Sequence, residues 1–136
     1  MIPTRKLGKT NYHATIFGLG GEGILRTSGY FKEAESVIKK AVEAGVNYFD
    51  TAPAYQQSRD YLGKFLWNYA KRENVFLASK THDRAYEGTL SLVEDSLRRL
   101  NTDYLDLLQL HDLREKEDLN EIFSASLEPN KLLQKL

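Results

Sequence analysis

The stretch DTAPAY at positions 50–55 places a carboxylate, Asp50, and a phenol, Tyr55, on either side of Pro53. Further along stand an amine, Lys80, and an imidazole, His111. These four types could manage a proton and a developing negative charge. A tyrosine can act as a general acid toward a carbonyl oxygen if its pKa, ordinarily ~10, is lowered. A nearby ammonium favours the phenolate. At roughly 4 Å and an effective dielectric of ~20 the attraction is about 4 kcal/mol, or ~3 pKa units, before desolvation is subtracted. Asp50 would hold and orient the lysine, and His111 would donate a hydrogen bond to the oxyanion. Each residue also has a plainer reading: a surface aromatic, a solvated strand end, a turn cap, a structural histidine. His13 and His82 are assigned to that plainer class.

The elements that must position the four residues alternate along the chain. IFGLGG (16–21) reads as a short strand ending in glycines. Residues 33–44 carry Ala34, Val37, Ile38, Ala41 and Val42 on one helical face, and Gly45 follows where a left-handed cap is wanted. VNYFD (46–50) is a strand. Residues 58–70 form a second helix with Tyr61, Leu62, Phe65, Leu66 and Tyr69 in a stripe and Ser58 as its N-cap. VFLASK (75–80) is the next strand. A third helix at 88–100 carries Leu90, Val93, Leu97 and Leu100, and YLDLLQLH (104–111) is the fourth strand. The near-continuous apolar runs suit parallel strands covered on both faces. Gly20, Asp50, Lys80 and His111 end the four strands at steps of 30, 30 and 31 residues, the size of one βα unit. In parallel α/β folds the C-terminal strand ends form the ligand face, so the four candidate residues share one rim. A hairpin is expected over residues 4–15. The charged segment after His111 should be partly helical, and a stub helix is expected around Leu132, Leu133 and Leu136.

Composition narrows the function classes. Nineteen basic side chains balance nineteen acidic ones in 136 residues, so nothing points to nucleic acid or an anionic membrane. There is no cysteine, which excludes disulfides and thiolate metal sites, and no metal site is expected. No apolar stretch approaches the roughly 18 residues of a membrane span. The N-terminus lacks the apolar core of a signal peptide, and a cytoplasmic location is expected. GLGGEG (18–23) matches G-x-G-x-x-G, but that motif needs a helix to open at once, and ILRTSGY intervenes. The glycines are read instead as letting a loop pass close to a ligand.

GLGGEGI after a basic N-terminal hairpin, NYFDTAPAYQQSRDYLG, FLASKTH and DLLQLHDL together resemble the first half of an aldo/keto reductase, over roughly residues 4–123. The resemblance implies a (β/α)8 barrel that uses NADPH, less often NADH, to reduce aldehydes and ketones. By that resemblance Tyr55 donates the proton, Lys80 lowers its pKa, Asp50 pairs with the lysine near the nicotinamide ribose, and His111 orients the substrate carbonyl. Asp50 and Gly21 are the expected cofactor contacts. Gln56 and Arg59 stand where the family commonly has glycine and glutamate, and both are expected to change little.

A full barrel takes about 250 residues. The expected fold is therefore α/β: a parallel half-barrel, the (β/α)4 portion of a (β/α)8 TIM barrel, with a short N-terminal hairpin. Residues 1–136 are expected to form a truncated reductase domain with a divergent tail over 124–136. An open sheet has two unpaired edges, and Leu, Val and Phe on its inner face should form an exposed apolar patch through which two copies pair as a homodimer. The alternative to a carbonyl reductase is a chain without turnover: a truncated reductase with an intact tetrad but no cofactor grip, or a subunit that completes a barrel with a partner.

Overall fold

The computed structural model describes residues 2–124, so the expected stub helix around Leu132 lies outside the described residues. The chain opens with the expected hairpin. Strands β1 (Thr4–Lys6) and β2 (His13–Thr15) pair antiparallel, with Arg5 opposite Ala14. Four parallel strands follow in the order β3 (Leu19–Gly20), β4 (Tyr48–Asp50), β5 (Phe76–Thr81) and β6 (Leu107–Leu110). Between them run α1 (Phe31–Glu43), α2 (Ser58–Phe65) and α3 (Tyr86–Leu100), and α4 (Lys116–Ser124) follows β6. Chain order equals spatial order, so each helix is a crossover between neighbouring strands, as in a partial (β/α) barrel.

The helices form where apolar residues recur every three or four positions. Ala34 and Ile38 of α1 are fully buried against Phe49, Leu62 and Leu66. Gly45, at φ +89°, ends α1 in a Schellman motif: its N–H donates to Val42 O (2.9 Å) and the Val46 N–H to Ala41 O (3.0 Å). Asn101, at φ +51°, ends α3 in the same left-handed conformation.

Three local expectations are corrected. The second helix does not run to residue 70. It ends at Phe65 and tightens into a 3-10 turn over Leu66–Asn68, where the Trp67 indole N–H donates to Leu100 O at the end of α3 (2.7 Å). That tertiary bond has no signature in local periodicity. Ser58 does not cap α2. It is the first helical residue, buried, with its hydroxyl bonded to that of Thr51 (2.8 Å). The first strand shrinks to two residues, leaving Ile16 and Phe17 more than half exposed.

The inner face of the sheet also differs from the expected apolar patch. Alternation along β4 and β5 sends Phe49, Leu77, Ser79 and Thr81 into the helix-covered side. The opposite face carries Tyr48, Asp50, Phe76, Ala78, Lys80, Leu107 and Gln109, a mixed set. Its aromatic part is covered, because the Tyr12 ring of the hairpin lies 4.9 Å from Phe76 and Tyr48 stacks on Phe76 at 5.2 Å. Exposed large apolar side chains lie instead at the two margins, Ile16 and Phe17 before β3 and Leu110, Leu113 and Leu119 from the end of β6 onward, and also at Tyr30, Phe31 and Tyr104. No helix among the described residues is long and apolar enough to cross a membrane.

Candidate active site

The parallel register brings the C-terminal parts of neighbouring strands side by side. Gly20 pairs with Asp50, Asp50 with Ala78, and Lys80 with Gln109, one residue short of the end of β6. His111 follows β6 directly, and its N–H donates to Thr81 O (2.8 Å). The turn after β4 brings Tyr55 back over this rim through Tyr55 N–H to Ala52 O (3.0 Å).

The four sequence-predicted residues form one contact chain. Lys80 Nζ donates to Asp50 Oδ1 at 2.5 Å and to Thr51 O at 3.0 Å. The same Nζ lies 4.9 Å from the centroid of the Tyr55 ring. The Tyr55 and His111 rings meet edge to face at 5.6 Å and 89°. Lys80 is therefore held by two oxygens and set against the face of the phenol ring, rather than bonded to its hydroxyl. The ion pair is mostly withdrawn from water, with side chains 12% and 26% exposed, which strengthens it relative to a surface pair. Burial, and then the neighbouring Lys80 charge, hold the His111 imidazole below the usual histidine range. A ring held neutral in this way has one N–H donor and one acceptor nitrogen. His82, read as plain, is exposed but close enough to oppose His111 protonation.

Two supports escaped the sequence reading. Thr51, fully buried, lends its carbonyl to Lys80 and its hydroxyl to Ser58, so it joins the rim to the start of α2. Arg59 was expected to matter little, yet it is 5% exposed and donates to Asp95 Oδ2 (2.8 Å) and Ser96 Oγ (3.0 Å), tying α2 to α3. Burial lowers the Arg59 pKa despite Asp95. On Asp95, burial is outweighed by Arg59 and Arg99, and the carboxyl sits below its ordinary range. Gln56, where glycine had been the family habit, adopts φ +38°, the left-handed region that favours glycine.

Gly21 is buried against the end of β4. A Cβ there would lie 2.3 Å from Ser58 Oγ and 2.8 Å from Asp50 O, so no side chain fits. The glycine lets its loop cross the strand end beside Asp50. After it comes a short 3-10 turn at Gly23–Arg26, and the next helix starts only at Phe31, so GLGGEG opens no phosphate-binding helix. A cavity of about 340 Å³ lies on the inner side of β3, lined in part by Gly18, Gly20, Tyr48 and Asp50 and, among the described residues, by no lysine or arginine.

Comparison with known proteins gives a consistent picture. The profile of the aldo/keto reductase family matches residues 16–131. The chain is 37% identical to the aldo-keto reductase YhdN of Bacillus subtilis over 77% of its own length, and 38% identical to the methylglyoxal reductase DkgA of Escherichia coli O157:H7 over 67%. Its fold matches a solved aldo-keto reductase of Bacillus halodurans in the holo form with a TM-score of 0.77 and 29% identity, over 92% of this chain. It spans 36%, 32% and 45% of those three proteins, respectively. By sequence profile, relatives and fold alike, this chain belongs to the aldo/keto reductase family.

Proposed function

We propose that the rim is the proton-donating site of an NAD(P)H-dependent reductase of small aldehydes and ketones. The observation that carries this reading is the unbroken contact chain from Asp50 through Lys80 and Tyr55 to His111. Tyr55 gives its proton to the carbonyl oxygen. Lys80 stabilises the phenolate left behind, and Asp50 keeps the lysine in place. His111, neutral near pH 7, donates its N–H to the same oxygen and orients it. A bound nicotinamide cofactor supplies the hydride that reduces the carbonyl carbon. NADPH is the expected form and NADH the alternative. Asp50 suits the ribose end of such a cofactor, because its Oδ2 bonds to nothing among the described residues and its side chain is 26% exposed. Gly21 would let that group approach the backbone.

The reading is tested by NADPH consumption with methylglyoxal, a substrate class suggested by the methylglyoxal reductase relative. Turnover that vanishes in Tyr55→Phe while NADPH fluorescence titration still shows micromolar binding is the expected result. Unchanged turnover in that variant removes Tyr55 from the mechanism.

A second reading is a chain with the tetrad but no cofactor grip of its own, active only when a partner, a second copy included, completes the barrel. It is favoured by the cavity on the inner side of β3, whose described lining residues include no lysine or arginine to meet a pyrophosphate. Absence of NADPH binding in the titration selects it.

A further inference from the structure

The loop between β5 and α3, residues 82–85, is built more firmly than a connection requires. The Asp83 N–H donates to Thr81 Oγ1 (3.2 Å), Thr89 Oγ1 donates to Asp83 O (3.0 Å), and the Ala85 N–H donates to Asp83 Oδ1 (2.8 Å). The Asp83 carboxylate lies against the first turn of α3 at Gly88, where a Cβ would sit 2.0 Å from Asp83 Oδ2. Any side chain at position 88 would push the Asp83 carboxylate aside and cost its bond to the Ala85 N–H.

This loop aims Arg84 at the rim. Arg84 Nη2 donates to His111 O at 2.8 Å and stands 3.8 Å from Asp118 Oδ1 of α4. The guanidinium is largely buried, with its side chain 11% exposed. Asp118 is itself fixed, because its Oδ2 accepts from the Arg114 N–H (3.0 Å) and the Glu115 N–H (3.1 Å) at the entrance to α4. His111 needs such an anchor. The strand ends at Leu110, and the chain turns sharply at Asp112, which has φ +60°. The His111 backbone is thus gripped from two sides, by Thr81 O on its N–H and by Arg84 on its carbonyl.

We propose that Arg84 is a positioning residue: anchored on Asp118, it clamps the His111 carbonyl and so holds the imidazole edge-on to Tyr55. Both contacts run through Nη2, whose two N–H groups a planar, rigid guanidinium can aim at two acceptors at once, a geometry that a lysine ammonium on its flexible stem does not reproduce. The clamp deepens the reading of Tyr55 and His111 as a carbonyl-binding pair, but its test does not depend on turnover.

The measurement is the NMR cross-peak between the imidazole protons of His111 and the ring protons of Tyr55 in the full chain. Arg84→Ala should lose this cross-peak while the amide shifts of α1 and α2 stay as in the wild type. A folded Arg84→Ala protein that keeps it overturns the proposal, as does its absence from the wild type. If Arg84→Ala does not fold, Arg84→Lys decides. A weakened cross-peak with an unchanged core supports the clamp. Wild-type intensity makes Arg84 a stabiliser of the fold and overturns the positioning role. A wild-type chain that shows the cross-peak yet never reduces a carbonyl sinks the catalytic reading and leaves the clamp standing.

Discussion

The two ends of the sheet each gather a cation and its polar partners, and they spend them differently. At the end where the strands begin, Arg72 uses four of its five N–H groups inside the protein. It donates to Thr102 Oγ1 (2.9 Å), Val75 O (2.8 Å), Tyr104 O (2.9 Å) and Asp106 Oδ2 (2.7 Å), and it stacks 3.7 Å from the centroid of the Tyr104 ring. At the end where the strands finish, Lys80 is bonded to two oxygens, but the Tyr55 hydroxyl and the His111 imidazole bond to nothing among the described residues. Both side chains are only partly buried. A cluster whose donors are nearly all bonded inside the protein has little left for a ligand and holds the fold together. An unsaturated one at a strand rim keeps its donors for something that arrives later.

That contrast can be broken by mutation. The largest effect should fall on turnover: Tyr55→Phe should cut carbonyl reduction by a factor on the order of 10²–10⁴ while changing stability by less than about 0.5 kcal/mol. Steady-state kinetics and urea denaturation of the same preparation check both halves. At the other end the pattern reverses. Arg72→Ala leaves Asp106 Oδ2 with only the Leu77 N–H (2.9 Å) and takes a donor from three further acceptors, and should cost about 3 kcal/mol of stability, with the Tyr55–His111 cross-peak unmoved. A stable Arg72→Ala protein would dissolve the comparison.

A smaller effect sharpens it through pH. The folded-state pKa of His111 lies below its ordinary value, first through burial and then through Lys80. The unfolded chain therefore binds its proton at higher pH than the folded one. The resulting stability is fully present above about pH 6.5 and is lost as pH falls through the folded value. Urea midpoints measured from pH 7.5 down to pH 5 should decline, and less steeply in His111→Gln. Equal slopes in the two proteins would show that the rim does not hold the imidazole neutral. The smallest effect belongs to the turn that carries Tyr55. Gln56 pays the left-handed penalty at φ +38°, so Gln56→Gly should gain about 0.5 kcal/mol, read as a small rise in the thermal midpoint.

Much of this arrangement was legible beforehand. The strand–helix alternation, the 30-residue step and the polar strand ends locate Asp50, Lys80 and His111 on one rim, because parallel βα units repeat the same chain length between equivalent points. Tyr55 follows from its short distance to Asp50 across a proline turn. Arg84 and Thr51 were not legible. Each acts on the rim through contacts that leave no mark in spacing: a guanidinium on the backbone carbonyl of a residue 27 positions away, and a backbone carbonyl of Thr51 accepting from Lys80. Arg59 misled for a related reason. A charged residue near the start of a helix reads as solvent-facing until the opposing helix supplies Asp95 and Ser96.

The sequence by itself determined the order of elements, the family and the types of group gathered at the rim. Apolar period, glycine caps and strand-end polarity are local properties that the chain carries wherever it is. The tertiary structure alone decided how those groups meet: Lys80 against the face of the Tyr55 ring, Asp50 with one oxygen bonded to Lys80 and the other unbonded among the described residues, Phe76 of the inner face covered by Tyr12 of the hairpin. Such distances are set by the packing of segments far apart in the chain, and no stretch of residues read singly contains them.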